Sequence, residues 1–289
     1  MIVSAQIVGD EERVDGPPDA LLPWWSFGKT VLAACAFKLA EQGKLQLDSP
    51  YDGKPFTLRQ LLGHRAGVPN YGPLADYTVA VARGDNAWPA QEMLARAKAD
   101  TLLFAPGVGW NYSNIGYYYV RLAVEHATDS DLRSALHATV FAPLGLHAFM
   151  TRRKEDVQRV LWRDLHGYDP NWVYHGLILG TASDAARFLH RLFTSNFLTA
   201  KSQAAMFGSV PLPFSLPDRK FGEPTCGTGL MIDPKSRHGL MFGHTGGGPG
   251  SVSAVYRFPN LDPPRTVAVF ADDDDEAALE RHVLELAGT

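Results

Sequence analysis

The sequence predicts an α/β protein in which a sheet drawn from both ends of the chain is interrupted by a mostly helical insertion. Three observations predict it. Residues 2–8 alternate loosely in the manner of a strand, and three short apolar runs after residue 228 are bounded by turn residues. The long stretch between them carries mostly helical periodicity. The expected division is a sheet domain from 1–72 and 225–289, a helical domain from 73–224, and a site where the two meet.

Taken in order, Ile2 to Val8 reads as an edge strand, and Asp15-Gly16-Pro17-Pro18-Asp19 breaks the chain. From Ser26 a helical pattern runs through Val31, Leu32, Cys35, Phe37 and Leu39 and stops at Gly43, placed as a C′ glycine. Thr57 is the expected N-cap of a short helix carrying Leu58, Leu61 and Leu62. The middle, about 74–200, is helical pattern cut by turns such as Pro106-Gly107, and 201–226, rich in Pro, Ser and Gly, reads as a long surface connection. Gly229 to Ile232, Ser251 to Tyr256 and Thr266 to Phe270 read as strands. The chain closes on an amphipathic helix with Leu279, Val283 and Leu286 on one face; the acid run Asp272 to Asp275 before it reads as a charge complement to the helix dipole, not a metal site.

Composition excludes several classes. At 289 residues, 45% hydrophobic and 20% charged, the chain has an ordinary globular balance, which rules out a disordered tail, a collagen-like repeat or a disulfide scaffold. Its 27 basic against 31 acidic residues give a net charge of −4, so no broad basic face exists for nucleic acid. Cys35 and Cys226 stand far apart with no second cysteine at metal-ligand spacing, so no metal or cofactor is expected. No stretch approaches the ~20 apolar residues of a membrane span. The first ten residues lack the basic segment and apolar core of a secretion signal, so a cytoplasmic location is expected.

Three short motifs carry chemistry. Ser26-Phe27-Gly28-Lys29 places an amine three residues after a hydroxyl, on one face of a helix start. There the serine N–H points outward and the positive helix end favours an alkoxide. In isolation such a serine is more simply an N-cap. A phosphate-binding loop ending at Gly28-Lys29-Thr30 fails, because Pro23 stands where the loop needs its first glycine and Trp24 and Trp25 are too bulky for the wrap. Tyr112-Ser113-Asn114 supplies a phenol able to carry a proton and an amide able to donate to a carbonyl or hold a lysine. Alone, Tyr112 would sit in an aromatic cluster with Trp110 and Tyr117. His244-Thr245-Gly246-Gly247-Gly248 follows a predicted strand, where glycines mark close approach of a ligand or another backbone. No dinucleotide fingerprint fits that glycine run.

In this order the motifs resemble those of the serine β-lactamase and penicillin-binding-protein superfamily, closest to its class C branch with D-Ala-D-Ala carboxypeptidases, D-aminopeptidases and family VIII esterases. The resemblance covers about residues 24–272 and includes the flanking segments Lys38 to Asp48, Thr57 to Val68, Ala142-Pro143-Leu144-Gly145-Leu146 and Gly180 to Asp184. It implies an antiparallel sheet flanked by N- and C-terminal helices. It also implies a serine hydrolase that acts through an acyl-enzyme on a small ester, amide or lactam. Ser26 would be the nucleophile, Lys29 its proton partner and Tyr112 a proton relay, with the base either Lys29 or Tyr112. Asn114, His244, Thr245 and Gly246 would face the substrate, and the N–H groups of Ser26 and Gly247 would form the oxyanion hole.

The chain departs from that pattern in three places. Only about 25 residues precede Ser26, which points to a smaller or differently edged sheet. Trp25 stands where a small residue is usual, which points to a narrower, more apolar wall, and His244 stands where lactamases typically carry lysine. A neutral imidazole anchors a carboxylate less well than an ammonium. The short N-terminal section and Trp25 also motivate a second reading, a binding relative that keeps the fold without useful turnover.

Overall fold

A tight hairpin starts the sheet. In the computed structural model, which describes residues 1–208, 210–212 and 222–289, β1 (Ile2–Val8) turns through Gly9 and Asp10 into β2 (Glu11–Asp15). Gly9, at φ 59, takes without steric cost the left-handed conformation that a two-residue hairpin needs at its first position. β1 is therefore not the edge strand that its alternation suggested. β2 is the edge, and its Glu-Glu-Arg-Val-Asp sequence lacks the apolar alternation by which a strand is read. Two strands of the large sheet thus precede Ser26, and the sheet is edged by β2.

The chain continues through β3 (Leu22–Pro23), a 3₁₀ turn over Trp25–Phe27, α1 (Gly28–Glu41), α2 (Leu58–Leu62), α3 (Ala75–Ala82), α4 (Ala90–Arg96), α5 (Asn114–Thr128) and α6 (Leu132–Leu136). A π-turn over His137–Phe141 leads to β4 (Phe149–Thr151), α7 (Lys154–Val157), β5 (Leu177–Gly180), α8 (Ala182–Thr194) and α9 (Ala200–Met206). Last come β6 (Val210–Pro211), β7 (Thr225–Cys226), β8 (Met231–Ser236), β9 (Gly239–Gly248), β10 (Ser251–Phe258), β11 (Arg265–Ala271) and α10 (Glu276–Ala287). The expected connection over 201–226 is thus partly helix and strand at its ends; residues 209 and 213–221 of it lie outside the described residues.

Eight strands form one antiparallel sheet in the order β2-β1-β11-β10-β9-β8-β7-β6, and β3-β5-β4 form a small second sheet. The large sheet is covered on both faces. Val267, Val269 and Ala271 of β11 pack with Leu279 and Val283 of α10, while Ala268 and Phe270, pointing the other way, join the main core with α8. Burial on both faces explains why these strands read as continuous apolar runs.

Helix starts follow their sequence signals. Thr57 caps α2 in a reciprocal box with Gln60, and Asp275 caps α10 by accepting the Ala278 N–H at 2.8 Å. The rest of the acid run departs from the dipole reading. Asp272 pairs with the chain's amino terminus, and Asp274 accepts the Gly250 N–H, so only Asp275 and Glu276 serve the helix start.

α1 is apolar nearly all round and correspondingly buried. Its entry is clamped by Trp24 and Phe27, whose rings meet Phe188 of α8 at 6.4 and 5.7 Å. Phe188→Ala should therefore cost about 3–5 kcal/mol in urea unfolding, by loss of burial and an unfilled cavity. Val79→Ser, on an exposed face of α3, should stay within about 0.5 kcal/mol.

Candidate active site

The 3₁₀ turn before α1 presents Ser26 and shields its neighbours. Trp25 takes φ 44, uncommon for a bulky residue, and is held there by its indole N–H donating to Ser251 Oγ at 2.8 Å and by edge packing on Tyr168. Ser26 is not the N-cap that its position suggested; Phe27 stands at that position, with no side-chain cap bond. The serine hydroxyl faces two other groups. Lys29 Nζ lies 3.0 Å and Tyr112 Oη 2.8 Å from Ser26 Oγ. The one-turn spacing on α1 brings the first pair together, and the start of α5 delivers the second.

Tyr112 is placed by its flanks. Ser113 caps α5 by accepting the Gly116 N–H, donates its hydroxyl to Pro69 O at 2.8 Å, and gives its own N–H to His64 Nδ1 at 3.1 Å. The His64 ring lies 4.4 Å from the Tyr112 ring, and the His244 ring 6.4 Å from it. Tyr112 therefore sits between two imidazoles, and the His64 ring links it to Trp110 and Tyr117, at 5.8 and 5.2 Å from their rings. The Asn114 N–H donates to Asn70 Oδ1 at 3.2 Å, which roots the helix start that carries Tyr112. Among the described residues no bond joins Asn114 to Lys29; His175 occupies that role, its Nε2 3.3 Å from Nζ.

Lys29 is fully buried, and among the described residues no carboxylate stands within ion-pair distance of it. Burial therefore drives its pKa well below the ordinary lysine range. His64 and His175 are likewise held well below the usual imidazole range by burial first and by Lys29 second, so both are neutral at pH 7. The Lys29 shift favours the neutral amine, whose nitrogen lies 3.0 Å from the Ser26 hydroxyl.

The third motif lies inside β9 and not beyond its end. Beyond Gly243 this strand pairs with β10 alone among the described residues. A Cβ at Gly246 would stand 2.5 Å from the Ser26 amide nitrogen, and one at Gly248 would enter the Trp25 ring. Both positions thus require glycine to let the strand close on the turn. Thr245 bonds to Glu280 and to Tyr256 Oη, and His244 Nδ1 lies 2.6 Å from Thr245 O.

A cleft of about 350 Å³ opens on this group, lined by Ser26, Tyr112, Asn114, His244, Thr245 and Gly247 among others. That is the lower end of the size of small-ligand pockets. A smaller cavity of about 60 Å³ reaches Ser26 from the other side, walled by Trp25, Tyr71, Tyr168, Trp172 and His175. Trp25 thus narrows the site on that side. Cys226 also lines the larger cleft, but burial pushes its thiol up to about 11, so it is not a competing nucleophile.

Comparison with known proteins decides the family: its Beta-lactamase profile matches residues 4–287. The chain belongs to the Beta-lactamase family. Penicillin-binding protein 4* of Bacillus subtilis (strain 168) is 22% identical over 298 residues, covering 91% of this chain and 63% of that protein. Esterase EstB of Burkholderia gladioli is 30% identical over 162 residues, 48% of this chain and 41% of the esterase. The chain spans less than two thirds of the length of either. A D-stereospecific amidohydrolase from Streptomyces sp. shares the fold, with a TM-score of 0.83 at 23% identity over 100% of this chain and 94% of that one.

His64 and His175 had no role assigned from the sequence. The signal for His175 was a histidine embedded in the apolar run Trp172 to Leu179, where a charged ring has no exposed face. Unfolding returns Lys29 to its ordinary value near 10.5, so between the lowered native value and 10.5 the unfolded chain binds the extra proton and stability rises with pH. Lys29→Met should consequently melt above the parent at pH 7, by a margin that narrows as the pH approaches 10.5.

Proposed function

We propose that the protein is a serine hydrolase that cleaves small esters or amides through an acyl-enzyme on Ser26. One observation carries this reading: the Ser26 hydroxyl lies within hydrogen-bond reach of both a buried lysine amine and a phenol at the base of an open cleft. A serine is a weak nucleophile until a neighbouring base takes its proton.

As Ser26 Oγ attacks the substrate carbonyl, its proton passes to Lys29. The carbonyl oxygen gains charge against the N–H groups of Ser26 and Gly247. Tyr112, bonded to the same hydroxyl, then delivers a proton to the leaving oxygen or nitrogen as its bond to the acyl carbon breaks. Water, activated through the same pair, releases the acid. The phenol and amine share one proton relay, so the pH dependence belongs to the group and not to either residue. Asn114 and the edge of β9 would hold the acyl portion, as an added strand is held. His244 presents an imidazole where a carboxylate-binding ammonium would favour lactams. That substitution supports esters and simple amides as substrates over β-lactams.

A fluorophosphonate should label Ser26 in intact protein by mass spectrometry, and Ser26→Ala should lower hydrolysis of p-nitrophenyl acetate by about a hundredfold or more. Absence of the Ser26 adduct in folded protein would refute the reading. A rate in Ser26→Ala equal to the parent's would favour the binding relative instead. The labelling rate should rise with pH to a plateau reached well below pH 10.5, because the amine's affinity for protons is lowered by burial. A rate still climbing toward pH 10.5 would contradict a neutral Lys29.

A further inference from the structure

His175 is a buried imidazole that the proposed reaction does not use. It lies on the loop before β5, which is fixed from three sides. Tyr71 Oη donates to Trp172 O at 2.8 Å, Arg121 Nη1 donates to Tyr174 O at 3.0 Å, and the Gly176 N–H donates to Val173 O at 2.7 Å. The loop delivers Nε2 to 3.3 Å from Lys29 Nζ, while Nδ1 is buried without a hydrogen-bond partner among the described residues. A buried imidazole nitrogen left unpaired is uncommon enough to need a reason.

We infer that His175 is a positioning residue for Lys29: its Nε2 accepts from the amine, which turns the amine's lone pair toward the Ser26 hydroxyl. The inference rests on the reading of Lys29 as acceptor of the serine proton. A neutral amine has two N–H bonds and one lone pair. If Nε2 carried the imidazole proton, it would donate into that lone pair and take the place of the serine proton. Among the described residues Nδ1 lacks a partner in either tautomer, so it is the contact with the amine that chooses between them. Once Lys29 takes the Ser26 proton it holds three N–H bonds and no lone pair, and only an accepting Nε2 can then meet it. The proton later leaves through Tyr112 to the leaving group, and His175 ends the cycle neutral, as it began.

The groups facing His175 fit this role. Lys29 comes from α1, Tyr117 and Arg121 from α5, His64 from the segment after α2, and His244 from β9; none is a carboxylate. The Tyr112 and Tyr117 ring centroids, 4.9 and 5.6 Å from Nζ, add weak support for the transient ammonium. Nε2 is the strongest acceptor that these groups offer the charged lysine besides Ser26 itself. Without it, the charged form of Lys29 is less favourable and the amine becomes a weaker base.

The test compares His175→Leu and His175→Gln by the pH profile of fluorophosphonate labelling at Ser26 and by steady-state hydrolysis of p-nitrophenyl acetate. His175→Leu should lower the plateau labelling rate and kcat about 10- to 100-fold, the scale of one hydrogen bond to a charged group, with KM within about threefold. Its acid limb should also move to lower pH. His175→Gln, which places an acceptor where Nε2 stood, should recover most of the rate and return the limb. A plateau in His175→Leu within about twofold of the parent would overturn the inference, as would a lower plateau with an unmoved limb. If His175→Leu does not fold, His175→Asn replaces it, its amide falling short of Nζ; equal rates and limbs in the Asn and Gln variants would overturn the inference. Failure of the parent protein to label at Ser26 at all would count against the proposed function, not against His175 alone.

Discussion

The structure around Ser26 depends on the burial of Lys29, which has no carboxylate within ion-pair distance among the described residues. An ammonium cut off from water is costly, so burial shifts the side chain toward the neutral amine. Helix α1 supplies the one-turn spacing to Ser26, and its apolar surroundings supply the desolvation. The nearby histidines are themselves buried and neutral, so they add hydrogen-bonding atoms without adding positive charge at neutral pH.

That arrangement works against stability. A lysine that must shed its proton to be buried lowers the stability of the folded chain at every pH below its ordinary range. The bend at Trp25 and the buried Nδ1 of His175, without a partner among the described residues, add further cost, and both lie within one residue or one contact of the reactive group. The rest of the molecule offsets this with an eight-stranded sheet covered on both faces and with the aromatic clamp of Trp24, Phe27 and Phe188 at the entry to α1. Local strain concentrated at a reactive centre and supported by an ordinary core is a familiar compromise between stability and activity.

Much of this was legible in the sequence, because the informative patterns were local. Ser26 and Lys29 are one helical turn apart, the apolar runs of β10 and β11 follow from burial on both faces, and Thr57 with Gln60 carries its own helix-start signal. What escaped was made by tertiary contact or lacked apolar pattern. β2 is a charged edge strand, so no alternation marks it. Asp272 and Asp274 found partners in the chain terminus and in the turn at Gly250, which no helix-start rule anticipates. His175 reaches Lys29 across 146 positions of sequence, and the conformation of Trp25 is imposed by Ser251 and Tyr168 from elsewhere in the chain.

The central claim is the charge state of one amine, and it can be observed without turnover. With lysine ε-carbons labelled by ¹³C and the Lys29 signal assigned by its loss in Lys29→Met, an NMR titration follows that amine directly. The account predicts that the Lys29 signal moves to its neutral position at a pH well below the ordinary lysine value of 10.5. A Lys29 signal that remains in the charged position until the pH nears 10.5 would contradict it.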